Sequence, residues 1–377
     1  MNVTPSPATE IAGSIAALRT HYDAVILPLW TGPGWNAAMR LPYEALSGID
    51  NGPLPVKRYR AMACARQLYI FSQCEGSGAA AHAAQLFESL RTRFADLAHG
   101  GFVYSIDAQG QPLDTAKDLY THAFVVFACA AYLKRSGLPQ ARALLDGTTR
   151  LIEQRFAAAS GGLYHAALAQ DFSAGGGTPL QNPIMHLTEA YLAAYEVTRE
   201  HAYAKRLEGI ASAVLAGFVD PATGCIAELP LGCDGNRIEP GHQFEWFSLL
   251  STAPALFDGS PLAQALARAF EFALRHGVDT GTMGVAAALN LDGSPRDPAQ
   301  RIWAQTEFAR ALAVRGDGFA LAHLQAWLHA FPARFLHARG WHECLSPAGA
   351  VARGELPSTT PYHLATAYQA LAEATAD

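Results

Sequence analysis

The sequence predicts an all-α fold, an (α/α)6 barrel of six helical hairpins with short β returns in the loops, spanning residues 1–377 as one domain. Three observations lead there. Apolar residues recur at helical spacing in nearly every long segment and almost nowhere alternate as they would in a strand. The helical segments come in pairs, and after most pairs the chain passes a glycine followed by a short aromatic or β-branched stretch. These stretches return about every 60 residues, as they would if one supersecondary unit were used repeatedly. Six units is the number that closes into a ring instead of an open solenoid.

Taken in order, the periodicity places helices over 6–28, 57–75, 78–97, 115–136, 138–157 and 182–200, then over 202–218, 241–257, 260–275, 300–315, 317–333 and 360–374. The returns are Gly100-Gly101-Phe102-Val103-Tyr104, Gly161-Gly162-Leu163-Tyr164-His165, Gly224-Cys225-Ile226, Met283-Gly284-Val285 and Gly340-Trp341-His342. Leu29 to Pro55, rich in Trp, Gly, Pro and Asn, is too long for a simple connector and is expected to act as a lid over a pocket. Ala174 to Pro179, with three consecutive glycines, reads as a flexible turn. It lacks the Lys-Ser/Thr of a phosphate-binding loop, and no strand precedes it.

Half of the 377 residues are hydrophobic and 16% are charged, enough to bury a sizeable core. A net charge of -6 without a Lys/Arg cluster argues against a nucleic-acid partner. No apolar run reaches membrane-spanning length, and Met1 to Glu10 lacks the pattern of a signal peptide, so a cytoplasmic protein without a membrane partner is expected. The six cysteines form no C-x-x-C pair, which fits reduced, packed thiols.

Inner barrel helices should be apolar, so polar groups near their starts require a reason. Pro240-Gly241-His242-Gln243-Phe244-Glu245-Trp246 opens one, and His242 and Glu245, three apart, share a face. The positive end of the helix dipole beside His242 favours a neutral ring, suited to proton transfer, with Glu245 to orient it or accept a hydroxyl. Asn182-Pro183-Ile184-Met185-His186 opens another, with Asn182 and His186 four apart. Arg301-Ile302-Trp303-Ala304-Gln305-Thr306-Glu307 and Pro357-Ser358-Thr359-Thr360-Pro361-Tyr362-His363 open two more, and Arg66 interrupts an otherwise buried-looking helix.

Three histidines, two carboxylates, two arginines and two indoles around one mouth match a carbohydrate site, where aromatic faces stack on C–H surfaces and charged groups fork onto hydroxyls. No metal is expected, because the chain contains no His-x-x-x-His or His-Glu-x-x-His element. Glu245 and Glu307 do not read as a glycosidase pair, since each stands among histidines or an arginine. Lys57, Arg58 and Arg60 form the remaining basic group, expected to be a solvated surface patch, so a free sugar is favoured over a phosphorylated one.

In their order along residues 20–374, these four motifs make the chain similar to the N-acylglucosamine 2-epimerase superfamily, and its closing Ser-Thr-Thr-Pro-Tyr-His is most like the mannose isomerase branch. The resemblance implies an (α/α)6 barrel, a cofactor-free sugar isomerase or epimerase acting on a monosaccharide, and a monomer or homodimer. It implies that His242 and His363 form the acid/base pair across the sugar, and that His186 assists ring opening or holds oxygens. It also implies that Arg66, Tyr104, Asn182, Arg237, Glu245, Trp303 and Glu307 bind hydroxyls or stack. Thr359 departs from the pattern, standing where some isomerases of the superfamily have glutamine.

Overall fold

The computed structural model describes residues 7–159, 161–173 and 177–374. Part of the glycine-rich turn at 174–179 therefore lies outside the described residues. The helices are α1 (Pro7–His21), α2 (Leu27–Thr31), α3 (Ala61–Gln73), α4 (Ser77–Arg93), α5 (Leu119–Ser136), α6 (Pro139–Leu151) and α7 (Gln181–Thr198). They continue with α8 (His201–Gly217), α9 (Pro240–Ser251), α10 (Pro254–Phe257), α11 (Pro261–Gly277), α12 (Ile302–Arg315), α13 (Gly318–Phe335) and α14 (Thr360–Glu373).

These helices form an (α/α)6 barrel. Helices α3, α5, α7, α9, α12 and α14 make the inner ring, and α4, α6, α8, α11, α13 and α1 make the outer one. Burial follows from composition: in α5 every residue from Leu119 to Tyr132 except Tyr120 is buried, as a helix apolar on all sides must be. Outer helices show a one-sided pattern, as in α11, where Leu262, Ala265, Leu266, Ala269 and Phe270 face inward.

The predicted helices are present, with two local differences. A π-helical turn over Tyr22–Ile26 joins α1 to α2, and another over Ile152–Phe156 extends α6. The segment expected to be helical to residue 257 breaks after α9 because Pro254 disfavours helical backbone at Ala253, whose φ and ψ are -128° and 58°.

Each glycine return pairs antiparallel with the residues that end the preceding outer helix: Phe102 with Ala95, Tyr164 with Ala157, Ile226 with Val219, Val285 with Val278 and Trp341 with Leu336. For three of these returns, the fourth residue of the next inner helix then binds the return. In α5 this is His122, whose Nε2 accepts from Phe102 N–H at 3.1 Å. In α9, Gln243 accepts from Ile226 N–H at 2.8 Å and donates to its carbonyl at 2.9 Å. In α12, Gln305 does the same for Val285 at 2.8 and 3.0 Å.

The ring is closed by its two ends. Tyr22 Oη donates to the Pro361 carbonyl at 3.1 Å, and Gln67 Nε2 donates to the Ser358 carbonyl at 2.6 Å. Ala45–Ser47 pairs antiparallel with Glu355–Pro357. The segment 29–55, expected to be a lid, is thus a clasp between the first and last hairpins and supplies no residue to the cavity lining. No helix is long and apolar enough to cross a membrane among the described residues.

Replacing Gln243 with leucine strands the N–H and carbonyl of Ile226 in the core. A stranded buried group costs about 1–3 kcal/mol, so a urea melt of Gln243→Leu should show a clearly lower midpoint at unchanged slope. A midpoint equal to wild type would mean that the return is held by its bridge alone.

Candidate active site

The first turns of the inner helices end around one cavity of about 280 Å3. Arg66, Asn182, His186, Arg237, His242, Glu245, Trp303 and His363 all line it, so eight of the ten residues expected at the site converge there. Two do not. Tyr104 stays outside the lining, with the Arg58 guanidinium 5.6 Å from its ring centroid. Glu307 is fully buried behind His363 and so cannot reach a sugar hydroxyl as expected. Of the two indoles, Trp303 lines the cavity, whereas Trp246 is buried and donates its N–H to Gln181 Oε1 at 2.8 Å.

All three histidines are built alike. His242 Nδ1 lies 2.7 Å from Glu228, His363 Nδ1 lies 2.8 Å from Glu307 and His186 Nδ1 lies 3.1 Å from Glu189. A carboxylate on Nδ1 selects the tautomer and ring orientation, leaving Nε2 as the working atom on the cavity side. The Trp303 ring packs against two of them, its centroid 4.9 Å from His242 and 5.8 Å from His363. Gly241 allows this approach, because a Cβ there would lie 2.6 Å from the indole.

The partner of His242 is thus Glu228 and not Glu245, which instead faces His186 Nδ1 at 3.9 Å and has no hydrogen bond at either oxygen. Gln181 completes the first pair: Trp246 fixes its amide, whose Nε2 donates to Glu228 at 2.9 Å. Arg66 is nearly buried; it donates to Tyr120 Oη at 2.6 Å and to the Thr359 carbonyl at 3.4 Å, with its guanidinium 4.3 Å from the Phe124 ring centroid. At the departing position 359, the backbone is therefore what meets Arg66. Arg237 is paired with Glu239 at 2.7 Å.

The histidines are tuned in opposite directions. Burial, with Arg66 and His186 nearby, holds His363 well below the ordinary histidine range, and it is neutral. Burial also lowers His186. For His242, burial acts downward, but the Glu228 and Glu239 carboxylates outweigh it and the ring lies above the ordinary value. The helix-dipole argument for a neutral His242 did not include these two carboxylates, which act in the opposite direction. Burial, aided by the charges of Glu307 and Glu189, pushes the Glu245 carboxyl well up.

Glu228 and Glu343 line the cavity but were not among the expected residues. Each lies two positions beyond the residue by which its glycine return bridges the outer helix, Ile226 and Trp341. Tyr104 holds the equivalent place after Phe102, so applying the repeat register to every return would have found both glutamates. Tyr120, Arg301 and Thr360 also line the cavity.

The sequence model of the N-acylglucosamine 2-epimerase family (GlcNAc 2-epimerase) matches residues 48–367. The chain belongs to this family. It is 30% identical over 368 residues to a D-mannose isomerase from Thermobifida fusca, covering 89% of each chain. Among solved structures, it superposes on a D-mannose isomerase with a TM-score of 0.83 at 21% identity, over 95% of this chain and 97% of that one. It superposes equally on a cellobiose 2-epimerase from Spirochaeta thermophila, with a TM-score of 0.84 at 23% identity over 97% of both chains. Family membership makes the chain a sugar isomerase or epimerase.

If Glu228 sustains the charge on His242, Glu228→Gln should move the titration of the His242 ring to lower pH. Ring ¹⁵N shifts followed against pH would show it, and an unmoved titration would exclude Glu228 as the cause.

Proposed function

We propose that the protein is a cofactor-independent aldose–ketose isomerase that interconverts D-mannose and D-fructose and, by the same geometry, D-lyxose and D-xylulose. The observation that carries this reading is the pair His242 and His363, both lining the cavity and both against Trp303, one tuned up and one tuned down. Two titratable groups driven apart by their surroundings make an acid and a base at the same pH. The isomerase relative that matches 89% of the chain supports mannose. A cavity of about 280 Å3 supports a monosaccharide, being slightly smaller than pockets for drug-sized ligands, which begin near 300 Å3.

In the ring-opening step, His242 as imidazolium gives its Nε2 proton to O5 as the C1–O5 bond breaks, and it recovers a proton from the anomeric hydroxyl. His363, neutral, then removes the C2 proton while His242 protonates O1, which leaves a cis-enediol. The His363 imidazolium returns its proton to C1, and His242 takes the O2 proton as the C2 carbonyl forms. Both histidines end as they began. His186 is low and close to Glu189, so its part is to hold oxygens, with Arg66, Asn182 and Glu245 placing the hydroxyls.

The cavity rim favours a free sugar over a phosphorylated one. Arg237 is engaged by Glu239, and Glu228, Glu239 and Glu343 face the same space, where they would repel a phosphate. Lys57 and Arg58 are exposed, Arg60 is bonded to Glu44, and none of the three lines the cavity.

A positioned general acid or base contributes roughly 10²–10⁴-fold. His363→Ala and His242→Ala should therefore each lose about that factor in kcat in protein that still folds, and Glu245→Gln should lose less. The decisive assay is proton NMR with D-mannose in D2O. Fructose carrying deuterium is expected, early glucose would convert the reading to a 2-epimerase, and binding without C2 exchange would reduce the barrel to a sugar-binding protein.

A further inference from the structure

Beneath the cavity floor lies a guanidinium that the mechanism above does not use. Arg310 stands on α12 one turn beyond Glu307, is largely buried and is absent from the cavity lining. Its Nη1 lies 3.4 Å from Glu307 Oε2 and 3.9 Å from Glu189 Oε1. Those two carboxylates hold Nδ1 of His363 and of His186. Glu189 also accepts from the Tyr362 hydroxyl. A continuous buried chain therefore runs His186–Glu189–Arg310–Glu307–His363 across helices α7, α12 and α14.

We propose that Arg310 is a positioning residue that serves as the shared counter-charge of the two histidine–carboxylate pairs and couples their protonation. A buried carboxylate without a counter-charge takes up a proton, and as a carboxylic acid it no longer orders the imidazole that donates to it. Here one cation serves two such carboxylates from two helices, so the state of either pair changes the share of charge available to the other.

The other groups around the chain act in known directions. From α9, Glu245 adds a third carboxyl that Arg310 also faces. From α3, Arg66 lowers His363, and Tyr69 feels both Glu189 and Arg310. From α14, Tyr362 donates to Glu189. Burial pushes the Glu307 carboxyl up to about 7 even with Arg310 acting to lower it. Loss of the guanidinium must therefore raise Glu307 further, and it must raise His363, which Arg310 also lowers. Both changes deplete neutral His363 backed by an ionised partner, and both move in the same direction on the pH axis.

The consequence for turnover rests on the isomerase or epimerase reading of the site, whereas the ring titrations do not. The experiment follows ¹⁵N ring shifts of His363 and His186 against pH in ligand-free wild type, Arg310→Lys and Arg310→Gln, alongside kcat/KM profiles on D-mannose. In Arg310→Gln, the titration of His363 should move to higher pH, that of His186 should shift from wild type as Glu189 loses its counter-charge, and the acidic limb of kcat/KM should follow while KM changes little. In Arg310→Lys, both should stay close to wild type. If Arg310→Gln does not fold, Arg310→Met, which fills much of the same space without a charge, carries the test, and His363 should again titrate above wild type. Unmoved rings in a folded variant, or movement of His363 without His186 in Arg310→Gln, would overturn the coupling. Ring shifts that move without any activity on D-mannose would instead overturn the substrate reading and leave the coupling standing.

Discussion

The imidazoles at the mouth of this barrel depend on keeping carboxylates ionised where water cannot reach them. Glu189 and Glu307 are almost entirely removed from solvent, as are the rings they hold. Against burial, which alone would raise it, His186, Arg310 and Tyr362 keep the Glu189 carboxyl below its ordinary value. Removing one partner from such a set leaves an uncompensated charge, a loss of about 3–5 kcal/mol. That constraint accounts for the i,i+3 spacing of His186 with Glu189 and of Glu307 with Arg310, since each pair must present both members on one face of a fully packed helix.

The repeat architecture supplies the positions. Five of the inner helices follow a glycine return, and the starts of the inner helices meet around the cavity, so a side chain in the first two turns of an inner helix is aimed at shared space. The glutamines and histidine at the fourth helical residue stitch return to helix, and this fixes the loop from which Glu228 reaches His242. Stability and function thus draw on the same junctions.

Much of this was legible in the sequence. Helix periodicity and the glycine period gave the ring, because both are consequences of local burial. His186, His242, His363, Arg66 and Trp303 stood out as polar or aromatic groups at starts of apolar helices. Partnership was not legible. Glu245 shares a helix face with His242, yet Glu228, fourteen residues upstream on a loop, takes Nδ1. Gln181, Glu189 and Arg310 carry no local signal, because their roles depend on which helices become neighbours. The lid expectation at 29–55 failed for a related reason: loop length and composition do not distinguish a segment that covers a cavity from one that closes a ring, and the pairing of Ala45–Ser47 with Glu355–Pro357 decides it.

The same dependence on tertiary neighbours explains why one barrel hosts isomerases and epimerases. Both reactions begin with removal of the C2 proton by a neutral histidine, and both need a charged partner across the sugar. They part at the enediol, where the proton returns either to C1 from the first face or to C2 from the opposite face. A lowered His363 and a raised His242, both against the Trp303 ring, would supply the inventory for either outcome. What selects the outcome is whether the enediol stays in place long enough for His363 to reach C1 or turns to offer C2 to His242. The side chains placed to influence that choice are Arg66, Glu245, Asn182, Tyr120 and Trp303, which line the cavity.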